Sequence, residues 1–193
     1  MSPRTYRKNR RAQQELEMHE KILKAAVQLH AEHGATGTSF GMIANLAGVS
    51  PQTVYNHFPN LGELVTSCTQ HVQKKAPVVD ASVLKDKASS EERLTDLTAA
   101  VYRQLDYLAP WLRLGHTEVE RVPELADLFQ RQQAALRALL AQAVVEADRV
   151  TPDFLDAALT MLNYPAFAQF TQSRSTDEAA ALVAGYIIRL LPE

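Results

Sequence analysis

Apolar positions settle into a helical rhythm from about Glu20. Ile22, Ala26, Leu29 and His33 fall on one face, with Leu23 and Ala25 beside it, and Gly34 stands where a C-cap belongs. Thr38 and Ser39 are placed to cap a second, short helix from Phe40 to Ala47, and Gly48 breaks it. Ser50 opens a third, with Pro51 at the first helical position, where a missing N–H costs nothing. Pro59 ends that helix or lies just beyond it, and a fourth runs from near Leu61 to about Lys75. Residues 76–89 read as a linker. Ser89 and Glu92 then form a capping box, and Leu94, Leu97, Val101, Leu105 and Leu108 follow at helical spacing until Pro110. Pro123 opens another helix, and Thr151-Pro152 a further one, in which Pro165 predicts a kink. Thr176 is expected to cap the last helix, with Asp177 and Glu178 at its positive end. No alternating strand pattern interrupts this series. The fold class is all-α: an N-terminal three-helix domain followed by a larger C-terminal helical domain.

Composition agrees, because Ala, Leu, Gln, Glu and Arg dominate and glycine is scarce, with 7 in 193 residues. Net charge is only −2, but it is unevenly spread: residues 1–75 carry +4 and residues 76–193 carry −6. A basic N-terminal module on an acidic body suits phosphate contact by the first part alone. Arg4, Arg7, Lys8, Arg10 and Arg11 have no acidic neighbour and read either as a solvated tail or as an arm that tracks DNA. The chain thus divides into a basic, partly disordered arm (1–18), a helix-turn-helix domain (19–75) and a helical body (76–193). The single cysteine, Cys68, excludes an intramolecular disulfide framework and fits a reducing interior as a small apolar side chain. No apolar run approaches the roughly 18 residues a membrane helix needs, so a soluble, cytoplasmic protein with no membrane partner is expected.

The chemistry-bearing segment is FGMIANLAGVSPQTVYNHFP, Phe40 to Pro59. Two short helices that cross steeply need a small residue at the crossing, here Ala44, and a residue free to take positive φ at the turn, here Gly48. Ile43, Leu46, Val49, Val54 and Phe58 are expected to lock the pair. Gln52, Thr53, Tyr55, Asn56 and His57 are left for solvent, and they have the size and hydrogen-bonding groups to reach base edges and phosphates. A plain helical hairpin in a core would not gather such residues on its second helix.

The stretch from about His19 to Val65, and above all Val54-Tyr55-Asn56-His57-Phe58-Pro59, resembles the N-terminal domain of TetR-family transcriptional regulators. The resemblance covers roughly residues 10–70 by motif; beyond that it rests on length and helical character. It implies that Ser50, Gln52 and Thr53 approach the major groove, that Tyr55 and His57 mainly bind phosphate, and that Asn56 does either. Thr38 and Ser39 would meet the DNA backbone at the start of the second helix. One departure stands out: Leu61 occupies a position where the family usually carries a phosphate-holding lysine.

The resemblance also implies a homodimer on a palindromic double-stranded operator, and a small-molecule effector in the helical body. Residues 152–191, with Phe154, Ala158, Met161 and Leu162 and then Ala179, Leu182, Val183, Tyr186, Ile187, Leu190 and Leu191, supply the expected dimer surface. Trp111, with a loop-like stretch after it, is expected near an effector cavity bordered by some of Tyr102, Phe129, Tyr164 and Phe167. His116, Glu118 and Glu120, and His30 with His33, read as ordinary polar groups rather than metal ligands. No phosphate loop, nucleophile elbow or metalloprotease motif occurs, so neither an enzyme nor a cofactor is expected. The sequence reads best as a ligand-responsive DNA-binding repressor. An architectural DNA-binding factor, or a helical small-molecule binding protein with a weakened helix-turn-helix, are the alternatives.

Overall fold

The computed structural model describes the backbone of residues 3–192 and the side chains of residues 9–192, Ala147 excepted. Its helices, in chain order, are α1 (Pro3–His33), α2 (Phe40–Ala47), α3 (Pro51–His57), α4 (Leu61–Gln73), α5 (Ser90–Gly115), α6 (Pro123–Ala143), α7 (Pro152–Met161), α8 (Tyr164–Phe170) and α9 (Thr176–Arg189). No strand occurs among the described residues. The sequence pattern therefore predicts the element order, and the differences lie at proline residues and helix starts.

The expected irregular arm is instead the beginning of α1 from Pro3 onward. Ala12-Gln13-Gln14-Glu15-Leu16-Glu17-Met18 contains only strong helix formers and no glycine, so nothing stops the helix from running back to Pro3. At Pro110 the expected helix end does not occur, and α5 continues to Gly115. Pro110 is exposed, so water can serve the Asp106 carbonyl that its ring leaves unbonded. Trp111 thus sits inside a helix and not at the head of a loop. Pro165 does more than kink: α7 stops at Met161, and Asn163 caps a separate α8 by accepting from the Ala166 amide. The cap of α9 is Ser175, not Thr176, because Ser175 and Glu178 close a reciprocal capping box.

Two main cores organise the chain. The first joins α1 to α4 around Ile22, Ala26, Ile43, Val54, Phe58 and Leu64. The second joins the later helices around Leu94, Leu97, Tyr102, Leu140, Val183 and Ile187, with α9 lying chiefly along α5. A small third cluster of Ala35, Val65, Val122 and Leu125 bridges the two at the point where α4 meets α6. Leu61 packs against this bridge. Leu61 therefore serves packing between the two halves.

Candidate nucleic-acid interface and adjoining cavity

The helix pair is built from local rules. Ser39 caps α2 by accepting from the Met42 amide, and Gly48 ends it at φ 60°. That left-handed turn is where a side chain would be strained and glycine is not. Ser50 caps α3 by accepting from the Thr53 amide at 3.1 Å, and its hydroxyl also lies 2.8 Å from the Thr53 hydroxyl. Ala44, Val54 and Phe58 are buried, as the crossing requires. Leu46 is not part of the lock: it is 47% exposed on the outer side of α2.

Gln52, Tyr55 and Asn56 are exposed on α3, while Thr53 and His57 are half-buried. Gln52 donates from Nε2 to Asn56 Oδ1 at 3.0 Å, so two of the polar groups are already oriented relative to each other. The Tyr55 ring rests 4.6 Å from that of Phe40 at the start of α2, and half of the residue remains exposed. His57 stands 5.8 Å from the ring of His19 on α1. Burial, and then the neighbouring His57, hold His19 below the ordinary histidine range. Thr38 differs from expectation. It is buried, and its hydroxyl donates to the Gly34 carbonyl at 2.7 Å, fixing the turn from the inside. Ser39 remains exposed beside it. Arg10 and Arg11 are exposed on α1, whereas the side chains of Arg4, Arg7 and Lys8 lie outside the described residues.

A cavity of about 670 Å³, open mouth included, lies where α1 and α4 meet α5 and α6. Trp111 and Phe129 line it, together with His30, Val65, Cys68, Leu108 and Leu125. Tyr102, Tyr164 and Phe167 do not. Tyr102 is fully buried in the second core, donates its hydroxyl to the Met161 carbonyl at 3.1 Å and packs against Phe167. Burial pushes its phenol up to about 12. Tyr164 faces His116 at 5.2 Å. The continuation of α5 past Pro110 carries Trp111 away from those aromatics and against α1, where its indole N–H donates to the Val27 carbonyl at 2.9 Å. Burial pushes the Cys68 thiol up to about 12, which leaves it inert.

Glu118, read from sequence as an ordinary polar group, has a role that sequence reasoning missed. It lies between α5 and α6, is 7% exposed, and accepts three hydrogen bonds from the α1–α2 turn. The Ala35 amide reaches Oε2 at 2.9 Å, and the Thr36 amide and hydroxyl reach Oε1 at 2.9 and 2.6 Å. Burial alone would raise its pKa, but the bonds from Thr36 and Ala35 outweigh this and hold it below the usual carboxylate range. Gly34, at φ 77°, is needed here as well, because a Cβ there would sit 2.6 Å from Glu118 Oε1. A contact across 82 residues of sequence leaves no periodic signal. Among the described residues no cluster of three potential metal ligands occurs.

Known proteins resemble the chain at both levels. The family model for bacterial regulatory proteins of the TetR family matches residues 22–68. The transcriptional repressor SCO4008 of Streptomyces coelicolor is 30% identical over 149 residues, 75% of this chain and 76% of that protein. The chain belongs to the TetR family. The repressor NicS of Pseudomonas putida is 30% identical over 138 residues, 69% of this chain and 61% of that protein. Of solved structures, the TetR-family regulator PfmR from Thermus thermophilus superposes with a TM-score of 0.66 at 24% identity, covering 89% of this chain and 99% of that one. TetR membership accounts for the matched segment from Ile22 to Cys68, which contains the whole α2–α3 pair.

Proposed function

We propose that this TetR-family protein is a sequence-specific DNA-binding transcriptional regulator, a repressor that a small molecule releases from a palindromic operator. The observation that carries the reading is α3. It is a capped helix of seven residues, anchored by buried Val54 and with Gln52, Tyr55 and Asn56 turned to solvent. In this reading residues 19–75 form the DNA-binding domain and residues 76–193 the effector-binding and dimerising body, in a soluble cytoplasmic protein that is not an enzyme. Ser50, Gln52 and Thr53 read bases from the first turn of α3, where base edges come nearest. Ser39, Tyr55, Asn56 and His57 hold phosphates, with the basic residues near the start of α1. The cavity supports ligand control because it touches both halves: His30 and Cys68 come from the recognition half, Trp111 and Phe129 from the body. A ligand there would bias the arrangement of the two halves, and coupling requires such a shared equilibrium.

Selection of bound duplexes from a random library tests this reading, run in parallel on the native chain and on Gln52→Ala. The native chain should enrich an inverted repeat with half-sites about 10 base pairs apart. Gln52→Ala should bind that site more weakly by about 1–3 kcal/mol and lose preference at one position of each half-site. Enrichment of no sequence, with binding that falls steeply in salt, would make the protein an architectural binder. An unchanged selected site with Gln52→Ala would remove Gln52 from base reading.

A further inference from the structure

Neither the family assignment nor the DNA-binding face says what chemistry the cavity between α1, α4, α5 and α6 receives. Its polar atoms answer much of this. The Trp111 N–H is taken by the Val27 carbonyl, and the Thr69 hydroxyl donates to the Thr66 carbonyl within α4. Glu118 has both oxygens occupied by the α1–α2 turn. His30 is different. It is 7% exposed and lines the cavity, and its Nε2 has no hydrogen-bond partner among the described residues. Leaving a buried ring nitrogen unpaired is costly, so such an atom calls for a partner the chain does not supply.

The remaining lining sets the class of that partner. Among the described residues no lysine or arginine lines the cavity, so an anion would find no countercharge. Burial lowers His30 to about 4, so at neutral pH the ring offers one lone pair or one N–H and no charge. A cation could address only Glu118, and would have to compete with the three hydrogen bonds that already engage it. Leu108, Leu125, Phe129 and the Trp111 ring make up the apolar surround.

We propose that this cavity binds a neutral, chiefly apolar molecule with a single hydrogen-bonding group, which pairs with His30 Nε2. The proposal rests on the reading of the chain as a ligand-responsive regulator, and names the ligand class for that reading.

Three probes of matched size distinguish the possibilities by calorimetry on the full-length chain without DNA: toluene, p-cresol and 4-methylbenzylamine, the last a cation at neutral pH. The cresol hydroxyl both donates and accepts, so it suits either tautomer of His30. It should bind about tenfold more tightly than toluene, the gain expected from satisfying one buried polar atom, and more tightly than the amine. His30→Leu should bring cresol and toluene to equal affinity. Should that variant fail to fold, nitrogen NMR of the native chain reads the same contact: cresol should move the Nε2 resonance of His30 by the shift of a new hydrogen bond, and toluene should not. Equal binding of cresol and toluene, tightest binding by the amine, no binding at all, or a cresol preference that survives His30→Leu each overturns the proposal. A separate titration of the selected operator in the presence of saturating cresol addresses the parent reading. If cresol binds through His30 and DNA affinity does not change, the ligand class stands and the coupling to DNA fails.

Discussion

His30 carries a consequence that a denaturation experiment can read without any ligand. Burial lowers its pKa from 6.5 to about 4, against an opposing pull from the Glu118 carboxylate. In the unfolded chain the ring titrates near its ordinary value. Between these two values the unfolded chain holds a proton that the folded chain refuses, so stability falls as pH drops through 6.5 towards 4 and levels off above 6.5. Unfolding by urea at pH 7 and at about pH 4.5 should show the native chain losing about 2 kcal/mol more than His30→Gln does. His19 and His71 are lowered as well, but both remain in the variant, so the difference isolates His30. Equal losses in the two proteins would mean that His30 is accessible to protons in the folded state. The same residue scale explains why the aromatics expected from sequence divide into two groups. Trp111 and Phe129 reach the cavity, while Tyr102 and Phe167 fill the second core with their bulk. Aromatic identity does not tell a lining residue from a filling one; the helix face it stands on does.

At the scale of elements, α1 is the main surprise. Its continuation back to Pro3 turns the basic arm into a helix extension. Arg4, Arg7, Lys8 and Arg11 are spaced i, i+3, i+4 and i+7, which is the spacing of one helical face. If that face serves phosphates, deletion of residues 1–11 should weaken operator binding and flatten the plot of log affinity against log salt. The slope should change by about 0.9 for each lost phosphate contact. An unchanged slope would reduce these residues to a solvated helix end. Caps and proline positions explain why most other boundaries are legible: Ser39, Ser50 and Ser89 each satisfy an amide of the first turn from their own side chains, a purely local arrangement. Pro110 is one exception, because its cost depends on whether water reaches the carbonyl it orphans, and exposure is not local.

At the scale of the whole molecule the proposed dimer surface narrows. Much of the apolar surface of the last helix is used inside the chain: Ala179, Val183 and Ile187 are buried against α5 and its neighbours, and Leu191 joins the same core. What remains outward is Tyr186 at 37% exposure and Leu190 at 41%, with Leu182 half-buried on the same face. Phe170 of α8 lies 6.2 Å from the Tyr186 ring and extends the patch. A second copy of the chain is proposed to cover it, as a two-fold arrangement on a palindrome requires. Tyr186→Glu should then give a folded monomer with much weaker operator binding, measured by sedimentation and anisotropy. Ile187→Glu should instead unfold the body, since an unpaired charge there would be fully buried. A Tyr186→Glu protein that stays dimeric would place the interface elsewhere.

What the sequence determined by itself was everything set by near neighbours. The helical class, the α2–α3 pair with Ala44 at its crossing and Gly48 at its turn, and the exposed row Gln52, Tyr55 and Asn56 follow from spacing, caps and prolines over a few residues. So does the family, because its motif lies in that short segment. Tertiary structure decided which face of each long helix would be taken up by packing. It turned Thr38 inward, used Leu61 to bridge the two halves, buried Ile187, and brought Glu118 to the amides of Ala35 and Thr36 across the chain. It also placed His30 and Trp111 on one cavity. The physical reason is that a long amphipathic helix has several apolar stripes to offer. Only contact with a particular partner fixes which stripe is buried, and that partner is chosen far away in sequence.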